Sequence, residues 1–224
     1  MKKIILIAGA ALICSCVIGC ASAPSKPETA AQVSGTELLD WQGSEFGKGV
    51  PDWVECVSSQ NYGKLSALPE AKDKALIAVE GYGDDRDLLR IWVETDRASG
   101  EMTNRIEQTV TREAGTAASG NKDSSDAKIK MAKAVTGAFS QSKINGFQRL
   151  STFWTQVKRK EDGVVEYRYY ALFGIDNSVL DEQLAIVMGK VEAKTAEEKS
   201  SLDEINRAVQ LSAHKAGVIT SEVR

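Results

Sequence analysis

The sequence predicts an α+β domain with a small sheet that contains an antiparallel hairpin, helices packed on one face of that sheet, and a long C-terminal helix. Three observations support this prediction. Residues 165–173 alternate between apolar and polar side chains, as a half-buried strand does. Residues 88–110 and 180–191 each place apolar side chains at steps of three and four, as amphipathic helices do. A chain of 224 residues fits one domain with appendages.

The N-terminus has the layout of a secretory signal peptide over residues 1–19. Lys2 and Lys3 form a cationic start, an apolar stretch follows, and the small Gly19 precedes Cys20. The alternative is an uncleaved anchor, but a membrane span needs about 20 apolar residues. We therefore expect cleavage before Cys20 and export of residues 20–224.

Residues 17–20, Val-Ile-Gly-Cys, resemble the lipobox of bacterial lipoproteins. The resemblance implies lipidation of Cys20 through a diacylglyceryl thioether and an acylated amine (palmitate), and two or more acyl chains anchor a protein stably. Cys16 is a second candidate, but the apolar core has its full length only before Cys20. Because Ala21 and not Asp follows, sorting rules favour the outer membrane, with the domain on its periplasmic or its surface side.

Residues 20–50 have the composition of a tether. Ala, Ser, Pro, Thr and Gly dominate there, and the few apolar residues lack a sustained period. Trp41 and Phe46 are the side chains best suited to fold back onto the domain. We expect order to begin near Pro51 and a compact domain to span residues 51–192.

The sequence predicts a strand and two helices in the first half of the domain. Residues 75–79 form an apolar run that ends in Gly81-Tyr82-Gly83, as a strand followed by a turn does. A long helix is predicted from Asp84 to about residue 115, with acidic residues at its positive end. Gly100 inside it costs about 1 kcal/mol relative to alanine, so the helix packs closely there or breaks. A polar loop over 116–125 and a shorter helix over 129–139 follow.

The second half begins with the hairpin. Strands over 147–160 and 165–173 flank Glu161-Asp162-Gly163, a turn in which Gly163 is free to take a positive φ. The aromatic side chains of these strands are typical of a core face. Arg168 and Tyr170 alternate to the opposite face, so we select them as the candidate contact surface.

Everything after Ser178 is predicted to be helical, and residues 193–224 are predicted to form a helical C-terminal extension. Beyond Ala193 the apolar stripe is thin, consisting of Leu202, Ile205 and Val209. A thin stripe is more typical of a surface helix than of a coiled coil. Self-association through this helix remains an alternative.

The sequence singles out no set of residues for hydrolytic or metal chemistry, and its many carboxylates show no pair that stands out. Its one histidine, His214, lies in a polar segment, and zinc sites and Ser-His-Asp or Cys-His arrangements each need an oriented imidazole or a set of ligands. Once Cys14 and Cys16 leave with the signal and Cys20 is lipidated, Cys56 is alone, either buried or able to cross-link two copies. We therefore predict no enzyme, no catalytic residue, no cofactor and no metal site.

Nucleotides and nucleic acids are also poor candidates as ligands. Gly81-Tyr82-Gly83 lies where a phosphate-binding turn would lie, but Arg86 replaces the third glycine of the dinucleotide fingerprint. Asp84 and Asp85 would repel phosphate. Removing residues 1–19 takes away two lysines and no acidic residue, which changes the formal net charge from −3 to −5. That mild acidity argues against nucleic acid as a partner.

Several short motifs resemble the bacterial lipoprotein-20 family of small outer-membrane lipoproteins. They are Pro51-Asp52-Trp53-Val54, Gly81-Tyr82-Gly83, Asp96-Arg97-Ala98, Phe153-Trp154 and Tyr169-Tyr170-Ala171-Leu172. The resemblance spans residues 51 to about 190 and implies an α/β domain without catalytic residues. Related domains occur in lipoprotein activators of penicillin-binding proteins and in a flagellar outer-ring protein, which implies an envelope protein or peptidoglycan as the partner.

We therefore expect a lipid-anchored envelope lipoprotein that is not an enzyme and that acts through protein or cell-wall contacts. The alternative is a small-ligand-binding lipoprotein or hydrolase with an aromatic pocket, and the second alternative is a self-associating structural lipoprotein. A deep pocket that holds a buried carboxylate would favour the first alternative. A filled core with an exposed patch would favour contacts with macromolecules.

Overall fold

The computed structural model describes residues 35–95, 97–116 and 122–223. The predicted signal peptide, Cys20, the first part of the predicted tether, and Asp96 lie outside these residues. Within them the fold is α+β, as predicted, with seven α-helices and a five-stranded mixed sheet in the order β1-β3-β4-β2-β5. The strands are β1 (Thr36–Trp41), β2 (Lys74–Gly83), β3 (Gln148–Arg159), β4 (Val165–Asp176) and β5 (Gly217–Glu222).

The helices flank the sheet in an uneven way. They are α1 (Asp52–Ser58), α2 (Tyr62–Leu65), α3 (Arg86–Glu94), α4 (Ala98–Thr116), α5 (Lys122–Ser140), α6 (Asn177–Met188) and α7 (Ala196–Ala213). Helices α3 to α7 share one core with the face of the sheet that carries Ala75, Ile77 and Val79, which we call the first face. The short α1 and α2 pack on the opposite, second face.

The hairpin is confirmed. Strands β3 and β4 pair antiparallel, with Phe153 opposite Tyr170 and Trp154 opposite Tyr169. At the turn Gly163 has a φ of +73°, a conformation that glycine adopts without steric cost. Strict alternation and one glycine were therefore sufficient to predict this element.

The long helix predicted from Asp84 is two helices. The Asp85 side chain begins α3, because its Oδ1 accepts hydrogen bonds from the backbone amides of Asp87 and Leu88 at 2.9 and 3.0 Å. The helix ends at Glu94, since Thr95 takes an extended conformation with a ψ of 135°. The break thus lies at Thr95 and not at Gly100, which sits inside α4.

The predicted tether is wrong at its C-terminal end. Residues 36–41 form edge strand β1, which pairs antiparallel with β3 and buries Thr36 and Leu38. Trp41 folds back as expected, with its indole Nε1 donating to the carbonyl of Lys48 at 2.6 Å, whereas Phe46 is 77% exposed. The sequence did not predict β1 because its alternation of apolar and polar residues is too short to be distinguished from the surrounding polar chain.

The predicted C-terminal extension is also wrong, because this segment is part of the domain. Helix α7 packs against α4 and α5, and its apolar residues Ile205, Val209 and Ala213 are fully buried. Residues 217–222 form β5, which pairs parallel with β2. The stripe required for self-association is therefore occupied by the domain's own core.

Glycines in β2 allow two close approaches. A Cβ on Gly81 would lie 2.8 Å from Val93 Cγ2 of α3, and a Cβ on Gly83 would lie 2.5 Å from the carbonyl oxygen of Val223. Gly81-Tyr82-Gly83 therefore continues the strand and lets α3 and β5 pack against it. None of the helices in the described ranges is both long and apolar enough to span a bilayer.

Candidate functional site

The second face of the sheet is only partly covered. Helices α1 and α2 pack over one end of it, where Trp53, Val57 and Leu65 contact an apolar cluster. Toward the other end of β2 and β4, the same face carries polar and charged side chains and no helix lies over it in the described residues. The sheet residues of the apolar cluster are Leu76, Ala78, Phe153, Tyr170 and Leu172.

This uncovered end contains two adjoining hollows that meet at Tyr82, and we call them together the groove. The first, of about 480 Å³, lies between the C-terminal end of α1 and the sheet. The second, of about 440 Å³, extends toward the hairpin turn. The first is lined by Val57, Ser58, Ser59, Gln60, Glu80, Tyr82, Arg168 and Thr220, and the second by Tyr82, Gly83, Asp84, Arg159, Val164, Val165, Glu166, Glu222 and Val223.

Four charged residues on three neighbouring strands form the floor of the groove. They are Arg159 of β3, Glu166 and Arg168 of β4, and Glu80 of β2, and we call them the charged row. The strand register explains their proximity, because Tyr82 pairs with Arg168 and Tyr170 pairs with Glu80. Side chains at alternating positions of these strands therefore emerge side by side on the second face.

Arg168 is shared between two carboxylates. Its Nε and Nη2 donate to Glu166 Oε1 at 3.2 and 3.1 Å, and its Nη1 lies 3.6 Å from Glu80 Oε1. Glu166 is held from the other side by Arg159, whose Nη1 lies 3.5 Å from Oε2. Arg159 also bonds Asp162 at the turn, with Nη2 2.7 Å from Oδ2.

Burial dominates the electrostatics of Glu80. The residue is 6% exposed, and this burial raises the pKa of its carboxyl group, although Arg168 and the hydroxyls of Thr220 and Tyr170 act in the opposite direction. Burial by itself would lower the pKa of Arg168, but its neighbours Tyr170, Glu80 and Glu166 raise it. The guanidinium therefore stays charged, and Glu80 is the group whose ionised form is least well compensated.

The prediction that Tyr170 forms an exposed contact is wrong. It is 2% exposed, its ring packs edge-on against Trp53 at 6.4 Å between centroids, and its hydroxyl lies 3.3 Å from Ser58 Oγ. Burial, followed by the nearby Glu80, raises the pKa of its phenol to about 12. Tyr170 thus supports the floor of the groove from below.

The prediction for Arg168 holds in part. Its side chain is 18% exposed and lines the groove, so it reaches solvent only there. Sequence reasoning missed Glu80 and Arg159 as site residues. A usable signal existed for Glu80, because it directly continues the apolar run 75–79 and a glutamate in a buried strand needs a specific role.

The hydroxyl groups at the end of α1 are occupied by the helix itself. Ser58 Oγ donates to the carbonyl of Val54 at 2.9 Å, and Ser59 Oγ donates to that of Glu55 at 2.7 Å. Neither serine is thereby arranged as a nucleophile with an adjacent base. The groove combines fixed charges and satisfied hydroxyls, which suits recognition of a polar partner.

The other candidates from the sequence lie away from the groove or outside the described residues. Cys56 is buried on α1, which agrees with the prediction of a buried residue and not with that of a cross-linking thiol. Burial raises the pKa of its thiol. His214 bridges two helices, with Nε2 2.8 Å from Asp181 Oδ1 and Nδ1 3.0 Å from Asn177 Oδ1. Arg97 stacks over Trp92 at 4.1 Å from the ring centroid, and its neighbour Asp96 lies outside the described residues.

Within the described ranges, His, Cys, Asp and Glu residues form no group of three or more that could hold a metal ion. Asp85, one of the acidic residues at the start of the predicted long helix, caps α3, in agreement with the helix-end interpretation of these residues. A search of protein families, curated proteins and solved structures finds no match to this chain.

Proposed function

We propose that this protein is a lipid-anchored lipoprotein of the bacterial outer membrane that acts by binding and not by catalysis, with the groove as its binding face. The lipobox-like residues 17–20 and the signal-peptide layout before them support the anchor. The resemblance of the short motifs to the bacterial lipoprotein-20 family supports an envelope protein or peptidoglycan as the partner.

One observation carries the binding part of the proposal, namely the charged row at the floor of an open groove. Burying charged side chains opposes folding, and a protein in which apolar residues of similar volume replace a buried ion pair is often at least as stable. A sheet face that needs only to be covered would carry apolar side chains beneath a helix, as the other end of this face does. A charged row left open to solvent therefore favours a role in recognition.

The point at which the chain enters the domain supports a groove within reach of the proposed anchor. Gly35 accepts a backbone hydrogen bond from Lys160 beside the hairpin turn, and Thr36 pairs with Arg159 of the groove. Gly35 is fifteen positions after Cys20, and fifteen residue steps span at most about 50 Å when fully extended. Partners of the groove must then lie within that distance of the membrane, plus the size of the domain.

Small-ligand binding remains a second candidate, favoured by one observation. Glu80 is a buried carboxylate with a raised pKa that lines a hollow of about 480 Å³, a size within the range of ligand pockets. The hydrolase form of this candidate relied on an aromatic pocket, yet the hairpin aromatics Phe153, Tyr169 and Phe173 are buried in the two cores. Tyr82 is the aromatic residue that lines the groove.

The anchor is tested by Cys20→Ala in intact cells, with radiolabelled palmitate and membrane fractionation as readouts. We expect loss of the label and release from the membrane fraction, because the thiol that accepts the lipid is gone. Cys16→Ala is the matched control and should stay labelled and membrane-bound. A Cys20→Ala protein that remains labelled and anchored would overturn the assignment.

The binding face is tested with a photoreactive phenylalanine analogue at Val164, which is 44% exposed on the rim of the groove. Lys133, exposed on α5 in the helical layer over the first face, is the control position. We expect a discrete cross-linked product from Val164 that weakens when Arg168 is replaced by methionine. The same product from both positions, or no effect of Arg168→Met, would contradict a binding role for the groove.

A further inference from the structure

We infer that the groove binds an organic cation, an alkylammonium or guanidinium group supplied by a small amine or by a lysine or arginine side chain of a partner. This inference rests on the proposed role of the groove as the binding face and names the chemistry it recognises.

The lining of the groove carries an excess of negative charge. Four carboxylates line it, and two guanidinium groups accompany them, so the formal charge of the lining is about −2 at neutral pH. The carboxylates are those of Glu80, Asp84, Glu166 and Glu222, and the guanidinium groups are those of Arg159 and Arg168. An anionic ligand would be repelled, and a cation would be attracted into a partly desolvated site.

The ion pair between Glu80 and Arg168 is long. The Glu80 carboxylate accepts hydrogen bonds from the hydroxyls of Thr220, at 3.2 Å, and Tyr170, but Arg168 Nη1 lies 3.6 Å from Oε1, beyond normal hydrogen-bond length. The guanidinium instead directs two N–H groups at Glu166. A buried carboxylate is stable when a charged donor reaches it, so Glu80 has capacity for an additional N–H donor.

Incomplete pairing extends to the layer just beneath the groove floor. The Thr155 side chain is on the second face, directly across from Arg168 in the strand register, and the residue is 4% exposed. Its Oγ1 makes no hydrogen bond of normal geometry with any described residue, and the Tyr170 hydroxyl with which it interacts also contacts Ser58. Buried hydroxyls are almost always hydrogen-bonded, so the polar layer beneath Arg168 is not fully paired by the described residues.

The arrangement of the hollows favours an elongated cation. Glu80 lies in the first hollow, whereas Asp84, Glu166 and Glu222 lie in the second, and Tyr82 lines both. A tyrosine ring between two carboxylate-lined sites can contact an alkyl chain and attract a cation to its face. A diamine of moderate length, or a lysine side chain that enters from one end, fits this arrangement.

The inference is tested by isothermal titration calorimetry on the mature lipidated protein in a nonionic detergent. The probes are 1,5-diaminopentane, pentane-1,5-diol and glutarate, which share one carbon chain and differ in charge. Blocked tripeptides with a central lysine or norleucine form the peptide arm. We expect binding of cationic probes only, weakening as salt is raised.

Glu80→Gln is the decisive variant, because it keeps the shape of the side chain and removes its charge. We expect Glu80→Gln to weaken cation binding by about tenfold or more, as the loss of one charge-assisted hydrogen bond implies. Glu182→Gln, on an exposed position of α6, is the matched control and should bind like the wild type. Asp84→Asn, on an exposed turn, is a second groove variant in case Glu80→Gln does not fold, and it should weaken binding about threefold.

The outcomes separate the two sources of the cation. Binding of the diamine alone assigns the site to a small amine, and binding of the lysine peptide alone assigns it to a partner side chain. Binding of glutarate, equal binding of pentane-1,5-diol, no cation binding at all, or full binding by both groove variants overturns the inference. A groove that still cross-links through Val164 without binding cations would leave the proposed function intact and remove only this inference.

Discussion

Arg168 and Glu80 lie on neighbouring strands of the second face, with Arg168 Nη1 3.6 Å from Glu80 Oε1. Because Arg168 also donates two hydrogen bonds to Glu166, one guanidinium serves two carboxylates that are each about 94% buried. The relationship leaves Glu80 with less compensation than its burial requires. The charged row should therefore have a measurable effect on stability in addition to its proposed role in binding.

Glu80→Gln should raise the free energy of unfolding at pH 7. The pKa of Glu80 is raised in the folded state, so ionised Glu80 opposes folding at every pH above that raised value. This cost disappears as the pH falls below the ordinary value of a glutamate, about 4.3. Urea unfolding of both proteins from pH 7 to pH 4 should show a gap that closes toward acid, whereas Glu182→Gln should show none.

Arg168→Met should destabilise the domain by roughly 3 kcal/mol at pH 7, since removing one side of a buried ion pair leaves unpaired charges. Here Glu80 and Glu166 would lose their shared partner. The loss should shrink in acid, because a protonated carboxylic acid needs no counter-charge. The triple variant with Glu80→Gln and Glu166→Gln added should recover most of the lost stability. If urea unfolding shows that the triple variant is no more stable than Arg168→Met, then Arg168 is not the shared partner of the two carboxylates.

Gly81→Ala and Gly100→Ala should have opposite effects on stability. An added methyl group at Gly81 meets Val93 and Leu89 of α3, and such overpacking costs typically 1–3 kcal/mol. Gly100 lies in α4, and a methyl group there would meet no side chain or neighbouring element within 4 Å among the described residues, so alanine should stabilise by about 0.5–1 kcal/mol through helix propensity. Thermal unfolding of the two variants tests both signs, and an unchanged Gly81→Ala protein would show that α3 can move away from β2.

Ile205→Ala should cost about 2–5 kcal/mol, because Ile205 is fully buried in the core between α7 and its neighbours. Leu211→Ala on the same helix should change stability by less than about 0.5 kcal/mol, since Leu211 is 70% exposed. Urea unfolding of the pair tests whether α7 is part of the domain. Equal effects of both variants would restore the view of this helix as an extension.

The sequence was sufficient for the elements whose signals are local. Alternation over 165–173 and Gly163 defined the hairpin, and periodicity over 180–191 located α6. The edge strands β1 and β5 were not predicted, because each has only six residues and is ordered by pairing with distant segments. Gly217 followed by three β-branched residues, Val218, Ile219 and Thr220, is the signal that would have suggested β5.

The groove could be predicted only in part. Alternation placed Arg168 and Tyr170 on one face of β4, which is what the structure shows. It could not reveal that α1, more than a hundred residues earlier, covers Tyr170 and stops at Ser58, leaving Arg168 beside an opening. Which part of a sheet face is covered depends on long-range packing and not on the strand's own pattern.

The most direct test of the groove as a binding site is the thermal unfolding midpoint of the mature protein and of Glu80→Gln, each with and without 1,5-diaminopentane. A ligand that binds only the folded state raises the midpoint. We predict that the diamine raises the midpoint of the wild type, while Glu80→Gln starts from a higher midpoint and shows a much smaller shift at the same diamine concentration. Equal shifts in both proteins, or no shift in the wild type, would contradict the account.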